Sequence, residues 1–114
     1  MDKQNAVIPT KPTGFSNGIY IIGVVVSNRA KAFQRKDGSG ISVVVEHEVA
    51  LQPGVAIWQR YFDPAKDPGL KLEGTVVVDF PKLKEFAPVT IKAAKVRSDE
   101  HTGQVTIRGG ELVA

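Results

Sequence analysis

The sequence predicts a small all-β domain, a barrel or sandwich of five or six strands. Runs rich in β-branched and aromatic residues recur at nearly regular spacing along the 114 residues, and turn signals separate them. No window of ten residues shows the period of an amphipathic helix. A chain of this length makes one domain, and such a domain buries roughly two-thirds of its unfolded surface, enough for a core of its own.

The N-terminal part of the chain differs in character from the rest. Residues 1–17 hold two prolines and a glycine among small polar residues, so we predict a flexible arm ahead of a barrel domain at 18–114. The first strand covers Gly18–Val26 and is apolar on both faces. Gly23 inside it predicts a bulge or a tight bend, which would let each half of the strand join a different side of a barrel.

A basic hairpin follows, over Asn28–Gly40. The chain has 15 Lys and Arg against 12 Asp and Glu, and this segment holds four of the former and one of the latter, so it accounts for the whole net charge of +3. Asp37-Gly38 is a hairpin turn signal. Side chains alternate between faces along a strand, which places four residues on one side of the first arm: Arg29, Lys31, Phe33 and Arg35.

The return strand, Ile41–Leu51, has apolar odd-numbered positions apart from His47, so we expect these to face the core and Glu46 and Glu48 to face outward. The remaining predicted strands cover four segments: Val55–Phe62, Thr75–Phe80, Val89–Val96 and Gln104–Leu112.

Two details concern the fourth predicted strand. Val76, Val78 and Phe80 alternate and are expected to form its apolar face. The segment Pro81–Phe86 after it is long enough for a single helical turn but not for a packed helix.

Several of these segments resemble one family. The bent first strand, the basic-aromatic extension Arg29–Lys36, the Asp-Gly-Ser-Gly tip and the run Glu73–Val78 are similar to OB-fold single-stranded DNA-binding proteins of the small phage and plasmid type, such as those of filamentous phages. The likeness covers residues 18–97, with the last strand as an addition to a five-stranded Greek-key barrel. It implies that bases stack on aromatic side chains and cations contact phosphates across the outer face of strands one to three.

The resemblance implies a nucleic-acid-binding set of eight residues on this chain: Arg29, Lys31, Phe33, Arg35, Lys36, Trp58, Arg60 and Tyr61. Alternation along the third strand is taken to place Trp58 and Arg60 outward and Val55 and Ile57 inward. Two alternatives stay open: Phe33 folds back onto the barrel among ordinary solvated cations, or Trp58 and Tyr61 belong to a core or subunit interface. Glu46 and Glu48 would either pair with the cations or repel phosphate.

Other chemistry finds little support in the residues. There is no cysteine for a disulfide or thiolate site, and neither His47 nor His101 has further ligands at useful spacing, so no metal, cofactor or catalytic set is predicted. No apolar run is long enough for a signal peptide or a membrane span. A cytoplasmic protein is the resulting expectation.

The sequence therefore predicts a non-catalytic protein that coats single-stranded DNA, or RNA, during replication or recombination. One domain offers a short site, so we expect a homo-oligomer, with a dimer favoured. The alternative is a structural or assembly β domain whose hairpin contacts another protein. An RNA binder of the cold-shock sort is disfavoured because the aromatic-rich strands of that group are missing.

Overall fold

The computed structural model describes residues 17–113 and shows an all-β, barrel-like protein, which confirms the predicted fold class. Within this range there are nine strands instead of five or six, because breaks at Ala94 and at Gly109-Gly110 each divide a predicted strand and because a short extra strand precedes β5. The strands are β1 Ile19–Gln34, β2 Ile41–Ala50, β3 Val55–Phe62, β4 Lys71–Glu73, β5 Val76–Asp79, β6 Pro88–Ala93, β7 Lys95–Ser98, β8 Val105–Arg108 and β9 Glu111–Leu112.

Seven of these strands form one curled sheet in the order β9-β6-β1-β2-β3-β8-β7, and β4 and β5 form a separate hairpin. Strands β3 and β8 pair in parallel, whereas the other neighbours in the sheet are antiparallel. Only Ala94 separates β6, which pairs with β1, from β7, which pairs with β8. The chain therefore links the two sides of the sheet, which gives the fold its barrel-like form.

The long strand β1 has different partners along its two halves. Residues 19–24 pair with β6 and residues 24–34 pair with β2. A β-bulge lies at Val26, three residues after Gly23, since Val25 pairs with Val49 and Ser27 pairs with Glu48. The extra residue reverses the alternation, so odd-numbered side chains face the core before the bulge and even-numbered ones after it.

Gly23 has its own reason to be a glycine. A Cβ at this position would collide with the carbonyl oxygen of Ala50 and with the side chain of Val49. Strands β1 and β2 thus approach each other too closely here for any side chain.

The core consists of two clusters, one on each side of the bulge. The first contains Val25, Val49, Ala56, Trp58, Val89, Ile91 and Ile107. The second contains Val43, Val45 and Leu70, against which Ala30, Ala32, Phe62, Leu72, Val77 and Phe80 pack. The β4–β5 hairpin therefore covers the second cluster with one side chain from each of its strands.

Two details around β5 differ from the sequence prediction. Val77, not its neighbours, packs on the core, and Val76 and Val78 are 61% and 44% exposed. The expected apolar face was therefore wrong for Val76 and Val78, because the core contact of this strand is set by the pairing of Val77 with Leu72, whereas Phe80 packs on the second cluster as expected. The segment Pro81–Phe86 contains no helical turn and forms an irregular loop.

The predicted flexible arm at 1–17 lies almost entirely outside the described residues, which begin at Asn17. Across the part of the chain that the structure describes, no helix is long and apolar enough to cross a membrane.

Candidate functional site

The side of the sheet opposite the core carries a set of polar and aromatic side chains that we call the outer face. Strand pairing aligns them in rows, because paired residues of neighbouring strands project to the same side. One row runs from Lys31 on β1 through Val44 to Tyr61 on β3. The next runs from Arg29 through Glu46 and Gln59 to Arg108 and Lys95. Five strands therefore contribute to one surface.

An aromatic pair lies at one end of the outer face. Phe33 on β1 and Tyr61 on β3 meet edge to face, with 6.2 Å between ring centroids. Phe33 is 38% exposed and Tyr61 54% exposed. Lys31, in the same row as Tyr61, is also exposed. The predicted alternation along β1 is thus confirmed for Arg29, Lys31 and Phe33, and Phe33 does not fold back into the core.

A ladder of hydrogen bonds crosses the next row. Arg29 Nε donates to Glu46 Oε1 at 2.7 Å, Gln59 Nε2 donates to Glu46 Oε2 at 2.7 Å, and Arg108 Nε donates to Gln59 Oε1 at 3.3 Å. Partial burial raises the pKa of Glu46, but the bonds from Gln59 and Arg29 outweigh it and hold that pKa below its usual value. The charge of Glu46 is therefore offset within the protein by Arg29.

The second outward carboxylate, Glu48, also has a partner. Ser27 Oγ donates to Glu48 Oε1 at 3.0 Å. The sequence left open whether Glu46 pairs with the hairpin cations or repels phosphate. In the structure Glu46 pairs with Arg29. Arg29 therefore already has a carboxylate partner within the protein, although its side chain is 60% exposed.

Arg35 holds the hairpin together. Its guanidinium donates to Ser42 Oγ at 2.7 Å and to the carbonyl oxygen of Ile41 at 3.2 Å, and it lies 3.3 Å from Asp63 Oδ2 at the end of β3. Hydrogen bonding by the Ala65 backbone, with a further effect of Arg35, lowers the pKa of Asp63. Arg35 is thus less available to a ligand than predicted, whereas Lys36 is exposed at the tip.

Trp58 lies in the core, and its predicted outward orientation is wrong. The indole is 0% exposed, and its Nε1 donates to the carbonyl oxygen of Gly109 at 2.8 Å. Strand β3 therefore has the opposite phase to the one expected, with Trp58 inward and Gln59 and Tyr61 outward. An indole with no exposed surface cannot stack on a base in this conformation.

Arg60 shares the inward face with Trp58, so its outward orientation was also wrong. Its guanidinium lies over the Trp58 ring, 4.4 Å from the centroid. Its Nε and Nη2 donate to His47 Nε2 at 3.1 and 2.8 Å. Burial lowers the pKa of Arg60, with a smaller opposing effect of Asp67.

His47 is the buried centre of this interior network, with 0% exposure. Because Nε2 accepts from Arg60, the ring proton is assigned to Nδ1, which donates to Asn28 Oδ1 at 2.6 Å. Burial, followed by the charge of Arg60, lowers the pKa of His47 to about 4. The imidazole is therefore neutral near pH 7, and its hydrogen bonds join Asn28 and Arg60 inside the core.

The structure adds cations that the sequence reasoning did not assign. Arg108 on β8 pairs with Lys95 on β7, and Arg97 lies two residues further along β7. All three are exposed, and they line a groove with Thr106. The alternation Lys95-Val96-Arg97 was a usable signal, but nothing in the sequence indicated that β7 and β8 join the same sheet as β1 to β3.

Within residues 17–113, no group of three His, Asp or Glu side chains is placed to hold a metal ion. Comparison with family models, with curated proteins and with solved structures found no match to this chain.

Proposed function

We propose that this protein binds single-stranded nucleic acid across its outer face. The observation that carries the proposal is the exposed Phe33–Tyr61 pair beside Lys31. Proteins that bind single strands without sequence preference combine aromatic platforms with a positive groove that follows the backbone. Both features occur here on one surface.

The distribution of charge supports the same function. Beyond Glu46 and Gln59, the outer face also carries three cations on β7 and β8: Lys95, Arg97 and Arg108. A strand crossing the sheet would stack at Phe33 and Tyr61 and bring its phosphates to the cations on β7 and β8. The two carboxylates between them are hydrogen-bonded, and Arg29 offsets the charge of one.

The test is a titration of fluorescently labelled oligo-dT, followed by anisotropy at several salt concentrations. Fluorescence of Trp58 is a poor reporter because the indole is buried. The affinity is expected to fall as salt rises, with log K against log salt having a slope of about −0.7 per neutralised phosphate. Failure of the wild-type protein to bind at low salt would refute the proposal.

Two charge reversals make a matched pair for the same titration. Lys31→Glu alters the outer face, whereas Lys71→Glu makes the same change in net charge on β4, which belongs to the separate hairpin. We expect K31E to weaken binding and to reduce the salt slope by about 0.7, and K71E to bind nearly as wild type. Equal losses in both variants would show that only net charge acts.

The biological setting and assembly state follow from this function. A non-catalytic role in coating DNA strands during replication or recombination is the proposed setting, and competition between oligo-dT and oligo-U distinguishes DNA from RNA.

A dimer would extend the short site of one domain. Analytical ultracentrifugation with and without oligonucleotide measures it. If an assembly role is correct instead, a defined oligomer forms without nucleic acid and K31E has little effect on any DNA binding.

A further inference from the structure

The loop between β5 and β6, residues 80–87, is fixed to the barrel at its middle. Asn28 on β1 binds both backbone groups of Leu83: Leu83 N donates to Asn28 Oδ1 at 3.0 Å, and Asn28 Nδ2 donates to Leu83 O at 2.9 Å. The Leu83 side chain packs against the first core cluster. The loop therefore has a set conformation despite its lack of regular structure.

Phe86 is presented outward from this loop. It is 76% exposed, the largest exposed fraction among the large hydrophobic side chains of residues 17–113. Its backbone is also tied to β1, because Phe86 N donates to Val25 O at 2.7 Å and Val25 N donates to Ala87 O at 3.0 Å. The ring is thus held at a defined place beside β1 without being buried.

The backbone of Phe86 is unfavourable for a residue of this type. Its φ is 62°, and no other non-glycine residue in the described part of the chain has a positive φ. A bulky side chain at positive φ is an outlier, and strained positions of this kind cluster at binding sites. A glycine would suit the backbone better, and the ring gains little from packing. Stability of the fold therefore does not explain phenylalanine at this position.

The surroundings of Phe86 fit an anionic ligand with aromatic groups. Lys82 and Lys84 are exposed on the same loop, with Glu85 as the opposing charge. Lys82 lies over the Phe80 ring, 4.1 Å from its centroid, and 3.5 Å from Asp79 Oδ1. Lys84 is exposed two residues before Phe86 in the chain.

Backbone hydrogen bonds to Val25 place Phe86 beside β1, the strand that also carries Phe33. The Phe86 backbone is hydrogen-bonded to Val25, and Phe33 lies eight residues after Val25 on the same strand, at most about 26 Å away at the rise of a regular β-strand. Arg29 and Lys31 lie between them. A single strand that extends from the Phe33–Tyr61 pair toward the cations on β7 and β8 at one end would reach Phe86 if its other end followed β1 past Arg29 and Lys31.

We propose that Phe86 is a second stacking platform, which takes a nucleobase of the same single strand at most about 26 Å along β1 from Phe33. The inference rests on the proposed function and deepens it. It assigns a role to an exposed, strained aromatic residue that the eight predicted site residues do not include.

The test compares Phe86→Ala, Phe86→Leu and Phe86→Tyr in the oligo-dT titration. Loss of one stacked base corresponds to a roughly 5- to 150-fold weaker affinity, which we expect for F86A and F86L, while F86Y keeps the ring and binds nearly as wild type. The loss is expected only with oligonucleotides long enough to span both platforms. The salt slope stays unchanged because no charge is removed. Val76→Ala, another exposed apolar residue, is the matched control.

A second variant, Phe86→Trp, reports on stacking directly. Since Trp58 is buried, quenching of the new indole by oligo-dT measures contact at position 86. Wild-type affinity in F86A and F86L, with K31E still weakened, would overturn this inference and leave the proposed function standing. Absence of binding by the wild-type protein would overturn both. Thermal unfolding of each variant verifies that the fold is retained.

Discussion

Protonation of His47 is predicted to make the fold sensitive to mild acid. The imidazole is fully buried, accepts two hydrogen bonds from Arg60 at Nε2 and donates from Nδ1 to Asn28. A proton on Nε2 would remove the acceptor and place two cations side by side. Burial of the imidazole, followed by the charge of Arg60, therefore lowers the pKa of His47 to about 4.

The magnitude follows from the difference between the folded and unfolded states. An unfolded histidine has a pKa near 6.5, so between about pH 6.5 and pH 4 the unfolded chain binds a proton that the folded chain does not. Stability is then lost as the pH falls through this window. From pH 7 to pH 5 the loss is about 2 kcal/mol, and it approaches roughly 3 kcal/mol near pH 4.

The assay is urea unfolding at pH 7, 6 and 5 for the wild-type protein and for His47→Gln. A glutamine can still donate to Asn28 and accept from Arg60 but does not titrate. Carboxylates with lowered pKa, such as Glu46 and Asp63, contribute equally to both proteins. We expect H47Q to lose about 2 kcal/mol less than wild type between pH 7 and pH 5.

The same pH dependence in H47Q and wild type would refute the reasoning. So would an NMR titration of the folded protein in which His47 has a midpoint near 6.5, since the folded-state shift is then absent. The other histidine, His101, lies in an exposed turn and gives a second set of imidazole signals, from which those of His47 are distinguished by assignment.

Two further predictions concern the core. Trp58→Phe removes the hydrogen bond to the Gly109 carbonyl and part of a buried ring, so we expect a loss of about 2 kcal/mol in urea unfolding, and an unchanged midpoint would contradict the buried position. Gly23→Ala places a methyl group against the carbonyl of Ala50, so we expect a loss of about 1–3 kcal/mol, and a variant as stable as wild type would contradict the close approach of β1 and β2.

The first hairpin and the return strand were predictable because their patterns are unambiguous. Cations alternate with alanines along β1 after the bulge, and only one phase buries the apolar side chains. On β2 the odd-numbered positions include three valines that are 0% exposed together with His47. The local alternation was therefore sufficient to place Arg29, Lys31 and Phe33 outward.

Strand β3 was not predictable in the same way, because it is apolar on both faces. Ile57 faces outward and is still only 6% exposed, in a hollow that Glu48 and Thr102 also line. Either phase would bury apolar side chains, so alternation could not choose between them. The choice depends on the pairing of Trp58 with His47 and with Ile107, two core residues.

Turn residues and alternation act over a few neighbouring positions, so the all-β class, the order of the main strands and the outward cations of the first hairpin could be predicted from local sequence. Which aromatic residues are accessible, and which distant cations lie beside them, depends on tertiary contacts. Tyr61 was brought to Phe33 by pairing through β2, and Arg108 to Gln59 by pairing of β8 with β3. Such contacts depend on register between distant segments, which no local pattern encodes.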